Sequence, residues 1–406
     1  MTEKLLDNGL VEPALGAWAS QVVLAAKAKQ EDVPWYEYTW RLCVSYRMLN
    51  IVTRAFAYTI KQCDDAVEEI PPEAQFFITA DMDAGYWQIE TEEASRDRLA
   101  FFVPNGKLQW TVMPMGALNA HAVFVAMMAV LQEEWLASAT KAGLKQCGSQ
   151  VIVDDILLWA ASVHVLLEFF PIVLDVLQKY RATLKLKKSQ LITPRCEFVG
   201  IDLVPGGRSP AQTKYRAFRE IPAPASFADL RMLIGMFGFY QTWLQNYEVR
   251  ISPWRKLQSL QPKPGSLSIS DEAEILSAHW DNSCHELLSE LKEEILSGPV
   301  LARPDPNRRF YIKTDWSRLG MGAVLLQADG SPESREAEAR ERAGGRCEFE
   351  RSRTRLRLRP IAFISRRTTK AEQDYHSLVD EASVGRWFAA ARVLGQTNGL
   401  QVVIIT

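Results

Sequence analysis

Short runs of apolar residues alternate along the chain with longer segments in which apolar residues recur every three or four positions. Runs rich in β-branched and aromatic residues predict strands, and the three-to-four spacing predicts helices. The clearest strand patterns lie at residues 76–81, 151–159, 310–315 and 360–365, and the clearest helical spacing lies at residues 230–240. The chain is therefore expected to be an α+β protein.

Two adjacent carboxylates, Asp154 and Asp155, interrupt the apolar run at residues 151–159. In one straight strand they would point to opposite faces, so that one of them would enter the core. A tight turn between two strands avoids this and brings both side chains to a hairpin tip. Such close like charges favour a bound divalent cation, and carboxylate oxygens suit Mg²⁺. The motif therefore indicates either a metal-binding hairpin of a nucleotidyl-transfer site or an exposed turn without chemistry.

Upstream residues offer further candidates for the same chemistry. The predicted strand at residues 76–81 ends in Asp81, whose carboxylate can reach a metal ion at a neighbouring hairpin tip. Arg47 lies on a predicted strand and has the guanidinium that binds phosphate in a fork, although a solvated arginine fits as well. Tyr86 is either a floor under a sugar or a core aromatic residue. Asn119 is expected to cap the helix that follows it, with a base contact as the alternative.

Composition limits the protein class more than it identifies a function. A length of 406 residues allows roughly two to three domains. The formal net charge of −2 gives no general support for nucleic-acid binding, so any basic surface must be local. Six cysteines without a C-x-x-C pair are typical of free thiols in a reducing compartment. Because no signal peptide is recognisable and polar residues interrupt the apolar stretch 156–177, we expect an intracellular protein without a membrane span.

The segment at residues 331–359 differs from the rest of the chain. It is dense in Arg and Glu and has almost no large apolar side chains before Leu356. Such segments are usually disordered, and we expect disorder here, with nucleic-acid contact as the alternative.

Several motifs, in this order, resemble those of the reverse transcriptases of gypsy-type LTR retrotransposons. The resemblance rests on V-S-Y-R-M-L-N (44–50), D-M-D-A-G-Y-W-Q-I (81–89), M-P-M-G-A-L-N-A (113–120), V-D-D-I-L (153–157), P-V-L (299–301), T-D-W-S (314–317), I-A-F-I-S-R (361–366) and A-E (371–372). It extends over nearly the whole chain, and the motifs are specific in combination.

The resemblance implies an architecture. It is a right-hand polymerase with fingers, an antiparallel-sheet palm and a thumb, followed by a connection and a truncated RNase H-like α/β domain. The expected bounds are 1–205 for fingers and palm, 206–260 for the thumb, 261–303 for the connection and 304–406 for a partial RNase H-like domain.

The resemblance also implies roles for particular residues. Asp81, Asp154 and Asp155 would be catalytic ligands of two Mg²⁺ ions, with Mn²⁺ as an alternative metal. The nucleotide-binding residues would be Arg47, Tyr86, Met115, Gly116 and Lys188, with Tyr86 as the gate against a ribose 2′-OH. Phe198, Val199 and Gly200 would form the primer grip, and Asp315 and Glu381 would be RNase H carboxylates. The implied partners are an RNA or DNA template with its primer, and dNTPs; the oligomeric state is not implied.

The sequence also departs from the family motifs. Ser45 replaces the usual Asp, Ala117 a Leu, His121 the Pro after N-A, and Trp316 the Ala after the RNase H Asp. The RNase H part is expected to be incomplete, as in a polyprotein fragment. The leading hypothesis is an RNA-directed DNA polymerase. The alternative is an inactive nucleic-acid-binding remnant, and a cellular DNA polymerase fits poorly because of the RNase H-like tail.

Overall fold

The structure of the protein is a computed structural model that describes residues 2–26, 40–59, 61–261, 269–305, 307–317, 320–343, 356–369 and 402–405. The chain divides into two compact units. The first comprises Met1–Ile70 and Ala74–Val199, and the second Pro71–Glu73 and Gly200–Thr406. The expected boundary between palm and thumb, at residue 205, lies six residues beyond the end of the first unit.

The first unit mixes short strands with two long helices. Its elements are α1 (Thr2–Asp7), β1 (Val11–Pro13), β2 (Gln21–Ala26), β3 (Trp40–Ser45), α2 (Arg47–Val52), α3 (Cys63–Glu68), β4 (Phe76–Asp81), α4 (Glu93–Arg96), β5 (Phe101–Val103), β6 (Gly106–Trp110), α5 (Ala120–Lys141), β7 (Cys147–Ile152), β8 (Asp155–Ala160), α6 (Val163–Lys179), β9 (Gln190–Thr193) and β10 (Cys196–Phe198).

The central sheet of this unit has the order β7-β8-β4-β9, and all its pairs are antiparallel. Helices α5 and α6 cover one face. Their side chains Phe124, Met128, Leu131, Leu166 and Phe169 are buried against Ile78, Ala80, Ile156 and Leu158 of the sheet. Because side chains alternate along a strand, the odd-numbered residues of β4 and β8 face away from these helices. The expected antiparallel sheet backed by helices is confirmed.

Helix α5 is 22 residues long and apolar, so its length and composition would also suit a membrane span. Core helices of soluble proteins share these features. Its buried residues Phe124, Met128, Leu131 and Trp135 recur at intervals of three or four, and they pack on the sheet. We therefore interpret α5 as a core helix.

A smaller sheet of order β1-β6-β5 contains the antiparallel hairpin of β5 and β6. The P-N-G turn joins β5 to β6, and Gly106 has a φ of 138°, which favours glycine. The strands β2 and β3 form a separate two-stranded antiparallel ribbon.

The second unit begins with a hairpin and continues through a group of helices to a second sheet. Its elements are β11 (Ile201–Val204), β12 (Gly207–Pro210), α7 (Tyr215–Glu220), α8 (Phe227–Phe239), α9 (Tyr247–Arg250), α10 (Ser252–Ser259), α11 (Ile269–His279), α12 (Asn282–Leu296), β13 (Leu301–Ala302), β14 (Phe310–Ser317), β15 (Gly320–Ala328), α13 (Pro332–Ala343), β16 (Leu358–Arg367) and β17 (Val402–Ile405).

The second sheet has the order β16-β15-β14-β17. Strand β14 pairs with β15 antiparallel over seven residue pairs, from Tyr311 to Ser317, and with β17 in parallel. The predicted helix at residues 230–240 is confirmed as α8, and the predicted strands at residues 310–315 and 360–365 are confirmed as parts of β14 and β16.

The expected disorder at residues 331–359 is wrong for Pro332–Ala343, which form α13. The helix is rich in Ala, Glu and Arg, and Glu336 pairs with Arg340 one turn later. Ser334, Ala337 and Glu338 are buried, and Glu338 Oε2 lies 3.3 Å from the guanidinium of Arg308. These anchors supply the tertiary contacts that composition alone did not predict. Residues 344–355 lie outside the described part of the chain.

Packing between β7 and β8 gives a stability prediction. A Cβ added at Gly148 would lie 2.5 Å from the ring of Trp159, its cross-strand partner. We expect Gly148→Ala to lower the free energy of unfolding by about 1–3 kcal/mol, because the ring has to move. Urea-induced unfolding followed by circular dichroism measures the change.

The matched control is Gly235→Ala in α8, where an added Cβ meets nothing within 4 Å. This change should be neutral or stabilising by up to about 1 kcal/mol, since alanine has a higher helix propensity than glycine in a helix interior. An unfolding midpoint for Gly148→Ala that matches or exceeds that of the unmodified protein would contradict the packing described here.

Candidate active site

The paired carboxylates occupy a two-residue turn and the residue after it. Strand β7 ends at Ile152, which pairs with Asp155 at the start of β8, and Val153 and Asp154 join the two strands. Val153 has a φ of 56°. A positive φ at the first turn position is the pattern of a type II′ hairpin turn, which matches the twist of the flanking strands. The turn keeps both carboxylates exposed at the end of the sheet.

Asp81, the third carboxylate, lies directly across from Asp155. The antiparallel ladder between β4 and β8 pairs the two residues, and the amide of Met82 donates to the carbonyl of Asp154 at 3.2 Å. Directly opposed residues point to the same face of a sheet. Asp81 and Asp155 therefore lie together on the face opposite α5 and α6, with Asp154 at the adjoining turn.

The donor set fits a hard divalent cation, since it consists of carboxylate oxygens gathered at one edge of a sheet. In the conformation described, no group of three or more His, Cys, Asp and Glu side chains stands together as a ready metal-ligand set within the described ranges. The backbone register brings the three carboxylates together, whereas the side chains do not form a closed coordination shell.

Neighbouring groups respond to the negative charge of these carboxylates. Burial, together with the charge of Asp154, raises the pKa of the Tyr86 phenol. Burial also raises the pKa of the Cys63 thiol, and the charges of Asp64 and Asp155 act in the same direction. Tyr86 and Cys63 thus lie close enough to the hairpin tip for its charge to raise their pKa values, and both side chains remain neutral at neutral pH.

The segment after β4 is fastened by one amide side chain. The Gln88 side chain donates to the carbonyls of Asp83 and Thr183, at 2.5 Å and 3.1 Å, and accepts from the amide of Thr183 at 2.8 Å. The amide of Lys185 donates to the carbonyl of Asp81 at 2.7 Å, and its ammonium lies 3.5 Å from the Asp83 carboxylate. These contacts fix the backbone on both sides of Asp81.

Tyr86 lies on the 3₁₀ turn Gly85–Gln88, which follows β4. Its ring stacks on Phe124 of α5 with the centroids 5.0 Å apart. A Cβ at Gly85 would lie 2.6 Å from Phe124, so glycine permits this close approach. The Tyr86 hydroxyl lies 3.1 Å from Nδ1 of His121. Tyr86 is half-buried, with one side of the ring packed and the hydroxyl bound.

Arg47 does not lie on a strand, contrary to the expectation. Strand β3 ends at Ser45, and Arg47 is the first residue of α2. The Tyr46 side chain is buried, and its hydroxyl donates to the carbonyl of Leu99 at 3.0 Å. The amide of Asn50 donates to the carbonyl of Tyr46 at 2.8 Å, which closes the first helical turn. The buried tyrosine therefore anchors the turn, and Arg47 next to it is exposed.

Asn50 of α2 holds the loop that contains Met115 and Gly116. Its side chain donates to the carbonyl of Gly116 at 3.0 Å and accepts from the amide of Leu118 at 2.9 Å. Gly116 has a φ of 92°, which only glycine adopts readily, and Met115 beside it is exposed. Helix α2, which begins with Arg47, is thereby tied to the predicted nucleotide-binding loop.

Asn119 makes a second tie of the same kind. It precedes α5 at the N-cap position, but its side chain makes no capping hydrogen bond, so the expected capping role is wrong. The side chain instead donates to the carbonyl of Arg54 and accepts from the amide of Phe56, both at 2.9 Å. The Asn119 side chain therefore binds backbone groups of the segment after α2 instead of capping α5.

The remaining predicted polymerase residues lie after α6. Lys188 ends the 3₁₀ turn Leu186–Lys188, and its side chain lies outside what the structure describes. Phe198 is buried at the end of β10, which lies beside β4. Val199 and Gly200 follow with positive φ values of 46° and 83°. The boundary between the two units falls between them.

Asp315 lies on β14 of the second unit, opposite Gly322 of β15. The Asn246 side chain donates to its carboxylate at 3.4 Å. A Cβ at Gly322 would lie 2.0 Å from Asn246 Oδ1, so the asparagine rests directly on the glycine. Asp315 is therefore in contact with the residue that precedes α9, and Glu381, its predicted companion, lies outside the described residues.

Comparison with known proteins agrees with this geometry. A family profile described as reverse transcriptase (RNA-dependent DNA polymerase) matches residues 28–203, and one described as an RNase H-like domain found in reverse transcriptase matches residues 280–343. The retrovirus-related Pol polyprotein from transposon opus of Drosophila melanogaster is 26% identical over 95% of this chain and 34% of its own length. That from transposon gypsy is 24% identical over 81% of this chain and 30% of its own length.

Residues 28–203 thus match the reverse transcriptase family, and the chain is similar to the Pol polyproteins of gypsy-type retrotransposons. It spans about a third of the length of the curated relatives it matches.

Solved structures share the fold of this chain. The foamy viral protease-reverse transcriptase dRH in complex with double-stranded DNA has a TM-score of 0.77 at 18% identity, covering 98% of this chain and 60% of that one. The foamy viral protease-reverse transcriptase in complex with an RNA/DNA hybrid has a TM-score of 0.72 at 18% identity, covering 99% of this chain and 46% of that one. The polymerase architecture with an RNase H-like domain is thus confirmed.

The sequence motifs did not indicate the residues that fasten this site. Asn50, Gln88 and Asn119 lie within the motifs, and each bridges two backbone segments. A signal was available, because each is an amide within a motif that also contains a predicted site residue. An amide side chain offers a donor and an acceptor together, which suits it to join two peptide groups.

The asparagine ties predict selective changes in hydrogen exchange. Asn50→Ala removes the acceptor for the amide of Leu118, and Asn119→Ala removes the acceptor for the amide of Phe56. We expect about 5-fold faster exchange in the peptide that contains the released amide, since one hydrogen bond contributes roughly 1 kcal/mol. Hydrogen–deuterium exchange with mass spectrometry measures both peptides.

Asn105→Ala, at an exposed turn, is the control and should leave both peptides unchanged. Equal acceleration in all three variants would indicate general loosening and would refute the specific ties.

Proposed function

We propose that this chain is an RNA-directed DNA polymerase that adds dNTPs to a primer on a nucleic-acid template. The observation that carries the proposal is the pairing of Asp81 with Asp155 across the sheet, with Asp154 at the adjoining turn. Nucleotidyl transfer requires a concentration of carboxylates on an accessible surface, and this sheet edge supplies it on the face opposite α5 and α6.

Asp81, Asp154 and Asp155 are the proposed ligands of Mg²⁺, with two ions bound and Mn²⁺ as a substitute. Bound Mg²⁺ would lower the pKa of the primer 3′-hydroxyl and neutralise charge that develops on the triphosphate. The protein contributes the fixed backbone that keeps the three carboxylates together. The hydrogen bonds of Lys185 and Met82 to the backbone of Asp81 and Asp154 support that role.

The nucleotide is proposed to bind next to these carboxylates. Arg47 would bind the triphosphate in a fork, and Lys188 would add positive charge. The backbone of Met115 and Gly116 would line the pocket, because a loop without a Cβ at Gly116 permits close approach. Tyr86 would exclude a ribose 2′-OH by the bulk of its ring. The tie between α2 and the Gly116 loop supports joint action of Arg47 and Gly116.

The proposed macromolecular partner is an RNA or DNA template with its primer. The solved foamy viral proteins of the same fold are complexes with double-stranded DNA and with an RNA/DNA hybrid. Phe198, Val199 and Gly200 are the proposed primer grip, and the positive φ values of the last two give this segment a distinct turn.

For the RNase H-like domain, Asp315 and Glu381 are the proposed carboxylates. Asp315 Oδ2 accepts a hydrogen bond from Asn246 in this structure. A carboxylate that accepts one such hydrogen bond still has lone pairs for a metal ion. We assign the polymerase reaction as the main activity of this chain, because the register of the sheet brings its three carboxylates together.

Primer extension on poly(rA)/oligo(dT) with Mg²⁺ tests the proposal. Asp154→Asn should lower kcat/KM by at least about 100-fold, because a metal ligand is worth several kcal/mol to the transition state. Removing the metal with EDTA should abolish extension, and added Mg²⁺ should restore it.

Asp83→Asn is the matched control. Asp83 lies two residues after Asp81, is exposed and pairs with Lys185 on the surface, so its replacement should leave extension within about 3-fold. Extension that survives Asp154→Asn would refute the assignment. A well-folded protein that binds the primer-template without extending it would instead identify an inactive nucleic-acid-binding remnant.

A further inference from the structure

His121 is one of the residues at which this chain departs from the family motifs next to the proposed nucleotide pocket. It follows Ala120 at the start of α5 and is exposed. The family motif has a proline at this position, which carries no side-chain hydrogen-bonding group. The imidazole of His121 lies with Nδ1 3.1 Å from the Tyr86 hydroxyl. The departure therefore introduces a contact that the usual residue cannot make.

The Tyr86 ring is constrained in one direction by apolar packing. It stacks on Phe124 with an interplanar angle of 23°, and Phe124 itself is fully buried. Gly85 has no Cβ that would hold the ring away from Phe124. Stacking fixes the plane of a ring, but it resists sliding within that plane only weakly. A hydrogen bond at the end of the ring supplies the missing constraint.

The protonation states suit this hydrogen bond. Burial and the negative charge of Asp154 raise the pKa of the Tyr86 phenol, so the phenol keeps its proton. It can then donate to Nδ1 of His121 when the imidazole proton is on Nε2. A hydroxyl proton engaged in this way is not available to a 2′-OH of an incoming nucleotide.

We propose that His121 is a specificity-determining positioning residue that holds Tyr86 in the orientation that excludes ribonucleotides. The inference rests on the proposed function, in which Tyr86 is the gate for the sugar. With His121 in place, a 2′-OH meets the edge of a fixed ring and gains no hydrogen bond from it. Without His121, the ring is free to slide on Phe124, and its hydroxyl is free to bind the 2′-OH.

The experiment compares kcat/KM for dTTP and UTP on one primer-template. His121→Ala and His121→Pro should each reduce the preference for dTTP about 3- to 10-fold, as expected for one lost hydrogen bond. His121→Asn keeps an acceptor near the position of Nδ1 and should restore most of the preference. His164→Ala, an exposed histidine on α6 that pairs with Glu168, is the control and should leave the preference unchanged.

Tyr86→Phe separates positioning from a general effect on folding. In this background the hydroxyl is gone, so adding His121→Ala should change the preference less than 2-fold. Near-additive effects of the two changes would overturn the inference, because they would mean that His121 acts by another route. Thermal unfolding of each variant should differ little from that of the unmodified protein, since His121 is exposed.

The outcomes separate this inference from the proposed function. If the unmodified protein does not extend the primer, the proposed function fails, and the inference fails with it. If it extends the primer but Tyr86→Ala leaves the preference for dTTP intact, the gate is wrong, and the role of His121 is refuted too. If Tyr86→Ala relaxes the preference and His121→Ala does not, the inference alone is overturned and the polymerase assignment stands.

Discussion

The register between β4 and β8 is the constraint on which the site depends. Ile78 and Ala80 face the helices, so Asp81 must face away from them, and the same holds for Asp155 relative to Ile156. A slip of one residue would turn the carboxylates toward α5 and α6 and expose the apolar face. The free energy of burying the apolar core therefore also determines where the carboxylates lie. The same strand pairs therefore determine both the stability of the sheet and the position of the carboxylates.

Amide side chains hold the loops around the sheet in place through hydrogen bonds to the backbone. The central sheet fixes Asp81 and Asp155, while the loops with Gly116 and Tyr86 lie outside its strands. Asn50, Gln88 and Asn119 take over that role, each pairing a donor and an acceptor with backbone groups of another segment. Such ties are directional, so they set the orientation of a loop more sharply than apolar contact does. These polar bridges therefore hold the loops that line the proposed nucleotide pocket.

Hydrophobic periodicity predicted β4, β8, β14, β16 and α8, because it reflects burial on one face. The sequence also predicted that two distant aspartate segments would meet, but this came from the resemblance to a family and not from periodicity. It did not predict that Arg47 begins a helix, because the preceding strand and the helix share an apolar pattern around Tyr46. Nor did it predict α13, whose order depends on Glu338 and Arg308 meeting across the fold. Contacts of that kind arise only once the tertiary structure exists.

Val153 has a backbone conformation that its residue type does not predict. A β-branched residue with a φ of 56° is strained by about 1–3 kcal/mol, and glycine would adopt this turn freely. The ladders on both sides of the turn overdetermine its conformation, and the Val153 side chain packs partly on the core of α5 and α6. A glycine would release the strain, but it would also remove this packing and let the tip move. Asp154 is the next residue, so the packing that holds the strained turn also holds this carboxylate in one place. The strained turn and the fixed charge are therefore two aspects of the same hairpin.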